Sequence, residues 1–504
     1  MQRLNRDIFF KPPAALTLPD YKLPDHDAAA TDKDSGTAIV HLGVGAFHRA
    51  HQAVYTERVN AGETDKWLIT GASLRSDQVQ QQLAPQDYLY TVVERENDLQ
   101  RYRLVQAIEQ VIVATQQPQQ LIEAMAHPLC KIISLTITEK GYCHNPATGK
   151  LDLLNPDIQT DLKTPATPHS AAGFIVAALR QRRANHLLGV SILSCDNLPA
   201  NGKLCRQIII DFATCVDPQL AEWIDQHCSF PSSMVDRIVP ACSDDDREAA
   251  ARELGYYDHA MVICEPFSQW VIEDDFVQGR PAWENAGATF VEDVYDFENM
   301  KLRLLNGSHS AMAYLGFLAG YQTIDQVVGD KSLLAFIGDL MAIEITPTVG
   351  SPQGINLENY KANLLQRFAN SSLKHRTQQI AMDGSQKIPQ RLLKPIEQQL
   401  QQGGEIKRLC LALAGWICYC RGIDRSGEPY AVSDPMSDKL QQQHQRAGND
   451  YNNLVDHFLS ITEVFPKSLS SNAAFKKILV QHVKSITELG VNHTVATINT
   501  HGHQ

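Results

Sequence analysis

The chain has 504 residues, 43% apolar and 20% charged, too long for one core and apolar enough to fill two or three domains, with two large ones expected. Its 45 basic and 57 acidic side chains leave a formal charge of −12, which argues against a nucleic-acid or anionic-membrane surface, because either needs a basic face. No run approaches the ~20 apolar residues of a membrane helix, the N-terminus lacks an apolar leader, and the eleven cysteines are scattered without a C-x-x-C pair. Reduced thiols, a cytoplasmic location and no metal are therefore expected.

Residues 1–36 are rich in Pro, Asp and Ala and show little periodicity. TAIVHLGVGAF then reads as a buried strand entering a glycine turn. A polar helix over about 48–62 and the strand-like runs KWLITGASL, LYTVVER and KIISLTITEK follow, with helical segments between. A helix over about 170–184, the strand LLGVSILSCDN, a helix over about 202–214 and the segment SMVDRIVPA continue the alternation. Strands alternating with helices predict a parallel sheet. From about Val291 strand-like runs almost vanish and long helical patterns begin with ENMKLRLLNGSHSAMAYLGFLAGY. The expected division is an α/β domain over residues 1–290 and a mostly helical one over 291–504.

Gly43 and Gly45 of HLGVGAFH lie where a tight turn after a strand lets backbone N–H groups face a pyrophosphate. His48 stands where the fingerprint has its third small residue, so on spacing alone a ligand-free turn is an equal reading. Phe47 and Arg49 open the following helix, and Arg49 is placed to add charge near phosphates. After the second strand, Asp77 suits the ribose hydroxyls of NAD, whereas Arg75 and Ser76 suit the extra phosphate of NADP, so NAD is expected with NADP left open.

In the helical half, Lys301, Asn306 and His309 stand at i, i+5 and i+8, which on an α-helix means about 0°, 140° and 80° around the axis. They enter an otherwise apolar segment, where burial of an ammonium favours the neutral amine that acts as a base. Spacing alone would sooner make Lys301 a lysine snorkelling to solvent, Asn306-Gly307 a kink and His309 a satisfied core histidine.

The string MKLRLLNGSHSAMAYLGFLAG closely resembles the active-site helix of the polyol-specific long-chain dehydrogenases, the mannitol dehydrogenase family, whose K-x5-N-x2-H pattern is matched by Lys301, Asn306 and His309. The resemblance extends in order over IVHLGVGAFHRAHQA, SLTITEKGY, SCDN, MVDRIVPA, CEPFSQWVIEDDFVQGRPAWE and HRTQQIAMDGSQKIPQRLL. It implies an enlarged Rossmann-type dinucleotide-binding domain, a mostly α-helical C-terminal domain, a cleft between them, no metal, and a monomer rather than an oligomer. It also implies roles: Lys301 as general base in oxidation and general acid in reduction, Asn197 and Asn306 polarising the reacting oxygen, and His309 orienting the substrate. Glu139 resembles a family glutamate near the base, with a proton relay expected, while Asp236, Arg376 and Lys387 fall in motifs that line the family's substrate cleft. Several of these runs resemble the fructuronate reductases within the family, which implies reduction of D-fructuronate to D-mannonate, with mannitol or arabinitol oxidation as the alternative.

Overall fold

The computed structural model describes residues 2–21, 23, 38–64, 66–145, 148–424 and 426–501. Part of the low-periodicity stretch at 1–36 therefore lies outside the described residues. The chain divides into two compact units, Met1–Tyr295 and Asp296–Gln504.

The first unit is built on five strands, β1 (Ile39–Leu42), β2 (Ile69–Ser73), β3 (Ile108–Val113), β4 (Ile132–Leu135) and β5 (Ser191–Ser194). They form one sheet in the order β3-β2-β1-β4-β5, and every pair is parallel. That order is the doubly wound arrangement of dinucleotide-binding domains. All four residues of β1, β4 and β5 are buried, as expected of strands covered on both faces. Alternate side chains enter opposite cores: Val40, Ile133 and Ile192 pack with one set of helices, Ile39, Ile132 and Leu193 with another group. The first core holds Phe174 and Leu179 of α3 (Ala171–Ala184) and Ile208 and Phe212 of α4 (Asn201–Val216). Ser170 caps α3, its hydroxyl accepting from Gly173 N at 3.0 Å.

Two details differ from the sequence expectation. The helix over 48–62 is two helices, α1 (Ala46–Ala50) and α2 (Gln52–Asn60), interrupted at His51 with φ −124° and ψ −89°. LYTVVER lies outside the parallel sheet: Tyr90–Glu96 pairs antiparallel with Leu99–Val105, in a four-stranded sheet with Val262–Cys264 and Leu16–Thr17. A third sheet joins Ser233–Asp236, Gln269–Glu273 and Thr289–Val291. These additions enlarge the unit beyond the five-stranded core.

The second unit is helical among its described residues. Its centre is α6 (Lys407–Tyr419), buried continuously from Arg408 to Ile417 because it is packed on all sides, with α5 (Ser308–Leu318) and α7 (Ala473–Leu489) in the same core. Phe475, Leu479, Val483 and Ile486 form the buried stripe of α7 at helical spacing. Three segments widen into π turns: Lys301–Gly307, Leu340–Ile345 and Pro389–Leu393.

All eleven cysteines are free thiols; seven are buried, three partly covered, and Cys215 is exposed. Among the described residues no helix is long and apolar enough to cross a membrane.

Candidate functional site

The chain leaves β1 toward β2 on one side of the sheet, while β4 lies on the other. Neighbouring strand ends therefore connect away from each other, and a crevice opens at their carboxyl ends, where ligands of open α/β sheets bind. The glycine turn sits there. Gly43 has φ +95°, and a Cβ on it would fall 2.1 Å from the carbonyl oxygen of Thr136, the residue after β4. Only glycine fits that approach. Gly43 N and Val44 N donate to Ala72 O at 2.8 and 3.4 Å, while Thr136 Oγ1 donates to Gly43 O at 2.7 Å. His41 is hydrogen-bonded on both ring nitrogens, to Ser134 Oγ and Thr136 Oγ1, each at 2.8 Å. Burial holds its pKa down to about 3, so the ring is neutral.

Gly45 serves a different purpose. It is exposed, and an added Cβ would meet only Gly43 O at 3.8 Å, so the side-chain space beside it is open. A pyrophosphate fits such a place, where backbone can come close to the ligand.

The neighbouring loops are tied together by Asp196. Its carboxylate accepts from Ile137 N at 3.1 Å, Thr138 N at 2.8 Å and the Tyr142 hydroxyl at 2.8 Å. Burial, opposed by these bonds, raises its pKa to about 6. Asn197 follows it and is exposed, while Glu139 is partly exposed on the short helix Thr138–Gly141 after β4. Asp236 is buried on its strand opposite Gln269, and its neighbour Arg237 is ion-paired with Glu94 at 2.7 Å.

Other residues proposed for the cofactor are placed as follows. Phe47 stacks on His51 with ring centroids 5.1 Å apart. Arg49 points inward and is buried, its guanidinium donating to Ala260 O and Gly45 O. It braces the turn. Asp77 accepts from the amides of Gln81 at 2.8 Å and Gln116 at 3.3 Å, and Arg75 is ion-paired with Asp157 at 2.6 Å.

In the second unit Lys301, Asn306 and His309 are all buried. The π turn over Lys301–Gly307 changes their relation. Its backbone bonds run i→i+5, so the wider winding swings Asn306 closer to the Lys301 face than the about 140° of α geometry. Asn306 Nδ2 and His309 Nε2 are buried without a hydrogen-bond partner among the described residues. Such atoms are costly unless something else takes them up. His309 lies against Phe368 at 4.6 Å and His375 at 5.4 Å between ring centroids. Burial first, then the charges of His375, Arg367, Arg391 and Lys301, hold it well below its usual pKa, which makes it a neutral imidazole.

The sequence did not single out Arg391, buried on the π turn Pro389–Leu393, which donates to Ser310 Oγ at 3.1 Å and Asn306 O at 3.5 Å. It also did not single out His375, whose pKa burial lowers to about 4. Both lie in the run HRTQQIAMDGSQKIPQRLL, so the signal was their place in that motif. Arg376 is exposed at the start of the helix Thr377–Ala381, and the Lys387 ammonium donates to Met382 O at 2.6 Å. Among the described residues no group of three His, Cys, Asp or Glu is placed to hold a metal ion.

Comparison with known proteins gives a consistent picture. Residues 37–285 match the mannitol dehydrogenase Rossmann domain and residues 293–487 the mannitol dehydrogenase C-terminal domain. The chain is 42% identical to D-mannonate oxidoreductase of Escherichia coli K12, over 96% of this chain and 100% of that one. It is 44% identical to an uncharacterised oxidoreductase of the same organism, over 97% and 99% of the two chains. A solved structure of Pseudomonas fluorescens mannitol 2-dehydrogenase, in ternary complex with NAD and D-mannitol, superposes with a TM-score of 0.90 at 37% identity, covering 99% of this chain and 100% of that one.

Proposed function

The chain belongs to the mannitol dehydrogenase family, and from that premise we propose that it interconverts D-fructuronate and D-mannonate with NAD. At the coarser level it is an NAD-dependent oxidoreductase of polyols or sugar acids. The observation that carries the chemistry is the buried set Lys301, Asn306 and His309, with Asn306 Nδ2 and His309 Nε2 unsatisfied. Two buried polar atoms without a partner among the described residues suit the oxygens of a polyhydroxylated substrate.

The Lys301 amine takes the carbinol proton in oxidation, and its ammonium returns a proton in ketone reduction. The Asn306 amide donates to the oxygen as negative charge develops on it, so its bond strengthens in the transition state. The neutral His309 binds and orients a substrate hydroxyl, because an uncharged imidazole both donates and accepts. Asn197 is assigned a second donor to the reacting oxygen, Glu139 a proton relay and Asp236 a substrate hydroxyl, each by family resemblance. The open turn at Gly43 and Gly45, with Phe47 and Asp77 beside it, would hold NAD, which when bound supplies the two-electron redox partner of the alcohol–ketone pair. Arg49, buried with its guanidinium on Gly45 O and Ala260 O, is assigned the shaping of that turn from within. The active species is taken to be a monomer, which sedimentation of the purified chain tests.

The uronate assignment is supported by the similarity to D-mannonate oxidoreductase and by two cations, Arg376 and Lys387, in the run assigned to the substrate. A carboxylate binds most strongly through charge-assisted bonds to such groups. A second reading, oxidation of mannitol or arabinitol to a ketose, draws on the D-mannitol bound in the solved Pseudomonas fluorescens relative. A NADH-oxidation screen over fructuronate, tagaturonate, fructose and xylulose separates them. Fructuronate is expected to give the highest kcat/KM, and a preference for fructose would replace the first reading with the second.

A further inference from the structure

The π turn over Lys301–Gly307 needs something to keep it open, because the segment begins after the regular turns of Tyr295–Met300 and runs straight into α5. π turns in α-helices are rare and concentrate at functional sites. Where π winding returns to α winding, each carbonyl's partner shifts by one residue, and Asn306 stands at that transition. Arg391 is bonded on both sides of it. One guanidinium nitrogen reaches Ser310 Oγ at 3.1 Å and Asn306 O at 3.5 Å. The Arg391 carbonyl in turn lies 3.0 Å from where a Cβ on Gly307 would be, so Gly307 lets the two widened turns pack backbone to backbone. The residue is buried, at 8% exposure, and is itself part of the π turn Pro389–Leu393.

We propose that Arg391 is a positioning residue that holds the Lys301–Gly307 turn in its widened form and thereby sets the Asn306 amide toward the Lys301 face. The proposal rests on the reading of Lys301 and Asn306 given above. Arg391 donates to the backbone of Asn306 and the side chain of Ser310, so its geometric effect on the reaction falls on where the Asn306 amide stands, apart from the charge it presents to His309. A misplacement of about 1 Å at such a group costs on the order of 10²-fold in rate.

The test compares Arg391→Met, Arg391→Lys, Asn306→Ala and the double variant Arg391→Met/Asn306→Ala. Arg391→Met is expected to lower kcat about 10²-fold with the KM for NAD unchanged, and Arg391→Lys to recover part of the loss through its ammonium donors. The double variant should be slower than Asn306→Ala by far less than the Arg391→Met factor, since the geometric effect passes through Asn306 and only the Arg391 charge felt by His309 is left to add. Losses that multiply, or an unchanged kcat in Arg391→Met, overturn the proposal. If Arg391→Met does not fold, Ser310→Ala keeps the guanidinium and removes the Ser310 acceptor; it should lower kcat about tenfold, and a wild-type kcat there overturns the proposal equally. A crystal structure of Arg391→Met separates this idea from the functional reading. The proposal expects α winding at 301–307 or Asn306 turned away, and an unchanged turn sinks it whatever the substrate is.

Discussion

Lys301 is where the residue scale decides the chemistry. On spacing alone it was a better candidate for a solvent-seeking side chain than for a base, yet it is buried, as are Asn306 and His309, two residues with polar atoms that lack a hydrogen-bond partner among the described residues. Lys301→Ala should therefore leave NAD affinity intact and lower kcat by about 10²–10⁴-fold, as read from steady-state rates and NADH fluorescence titration. His41 offers a test of a different kind. Burial lowers its pKa to about 3, while the unfolded chain titrates near 6.5. A depressed histidine contributes stability that is complete above the unfolded value and is lost as pH falls toward the folded one. The advantage of wild type over His41→Gln in urea unfolding should thus shrink by about 1.4 kcal/mol per pH unit below about 6.5. Comparing the two proteins cancels the opposite contributions of Glu57 and Asp196, whose burial raises their pKa to about 7 and about 6.

At the scale of elements, the two glycines of one turn make a controlled pair. Gly43→Ala places a methyl group against the Thr136 carbonyl at positive φ and should cost at least about 2 kcal/mol of stability. Gly45→Ala meets nothing closer than 3.8 Å and should fold normally while weakening NAD binding. Equal NAD affinity in Gly45→Ala and wild type would remove the dinucleotide from that turn. Both glycines were legible because a buried strand runs straight into them. The widened helix was not: LRLL has ordinary helical residues, Asn306-Gly307 suggests only a kink, and the extra residue of a π turn appears only in the backbone bonding. The strand Ile108–Val113 was missed for another reason. LYTVVER is more strand-like, and the sequence assigned it to the sheet, although Asn97 and Asp98 join Glu96 to Leu99 as a two-residue hairpin. Asn97 has φ +50°, the positive φ that hairpin turns demand of such residues.

For the molecule as a whole, ligand linkage gives the direct check on the cofactor. NAD at 100 times its Kd should stabilise the chain by about 2.7 kcal/mol, seen as a raised unfolding midpoint. Chelator should leave turnover unchanged, since the acid–base work falls to Lys301. The thiols point to a practical use. Seven of the eleven are buried, and only Cys215, near the end of α4, is exposed. Burial pushes even the partly covered Cys228 and Cys242 thiols up to about 11 and Cys418 to about 12, so little thiolate forms there at neutral pH. A maleimide dye should attach first at Cys215, one per native chain, giving a fluorescent reporter on the first unit without engineering any other cysteine away.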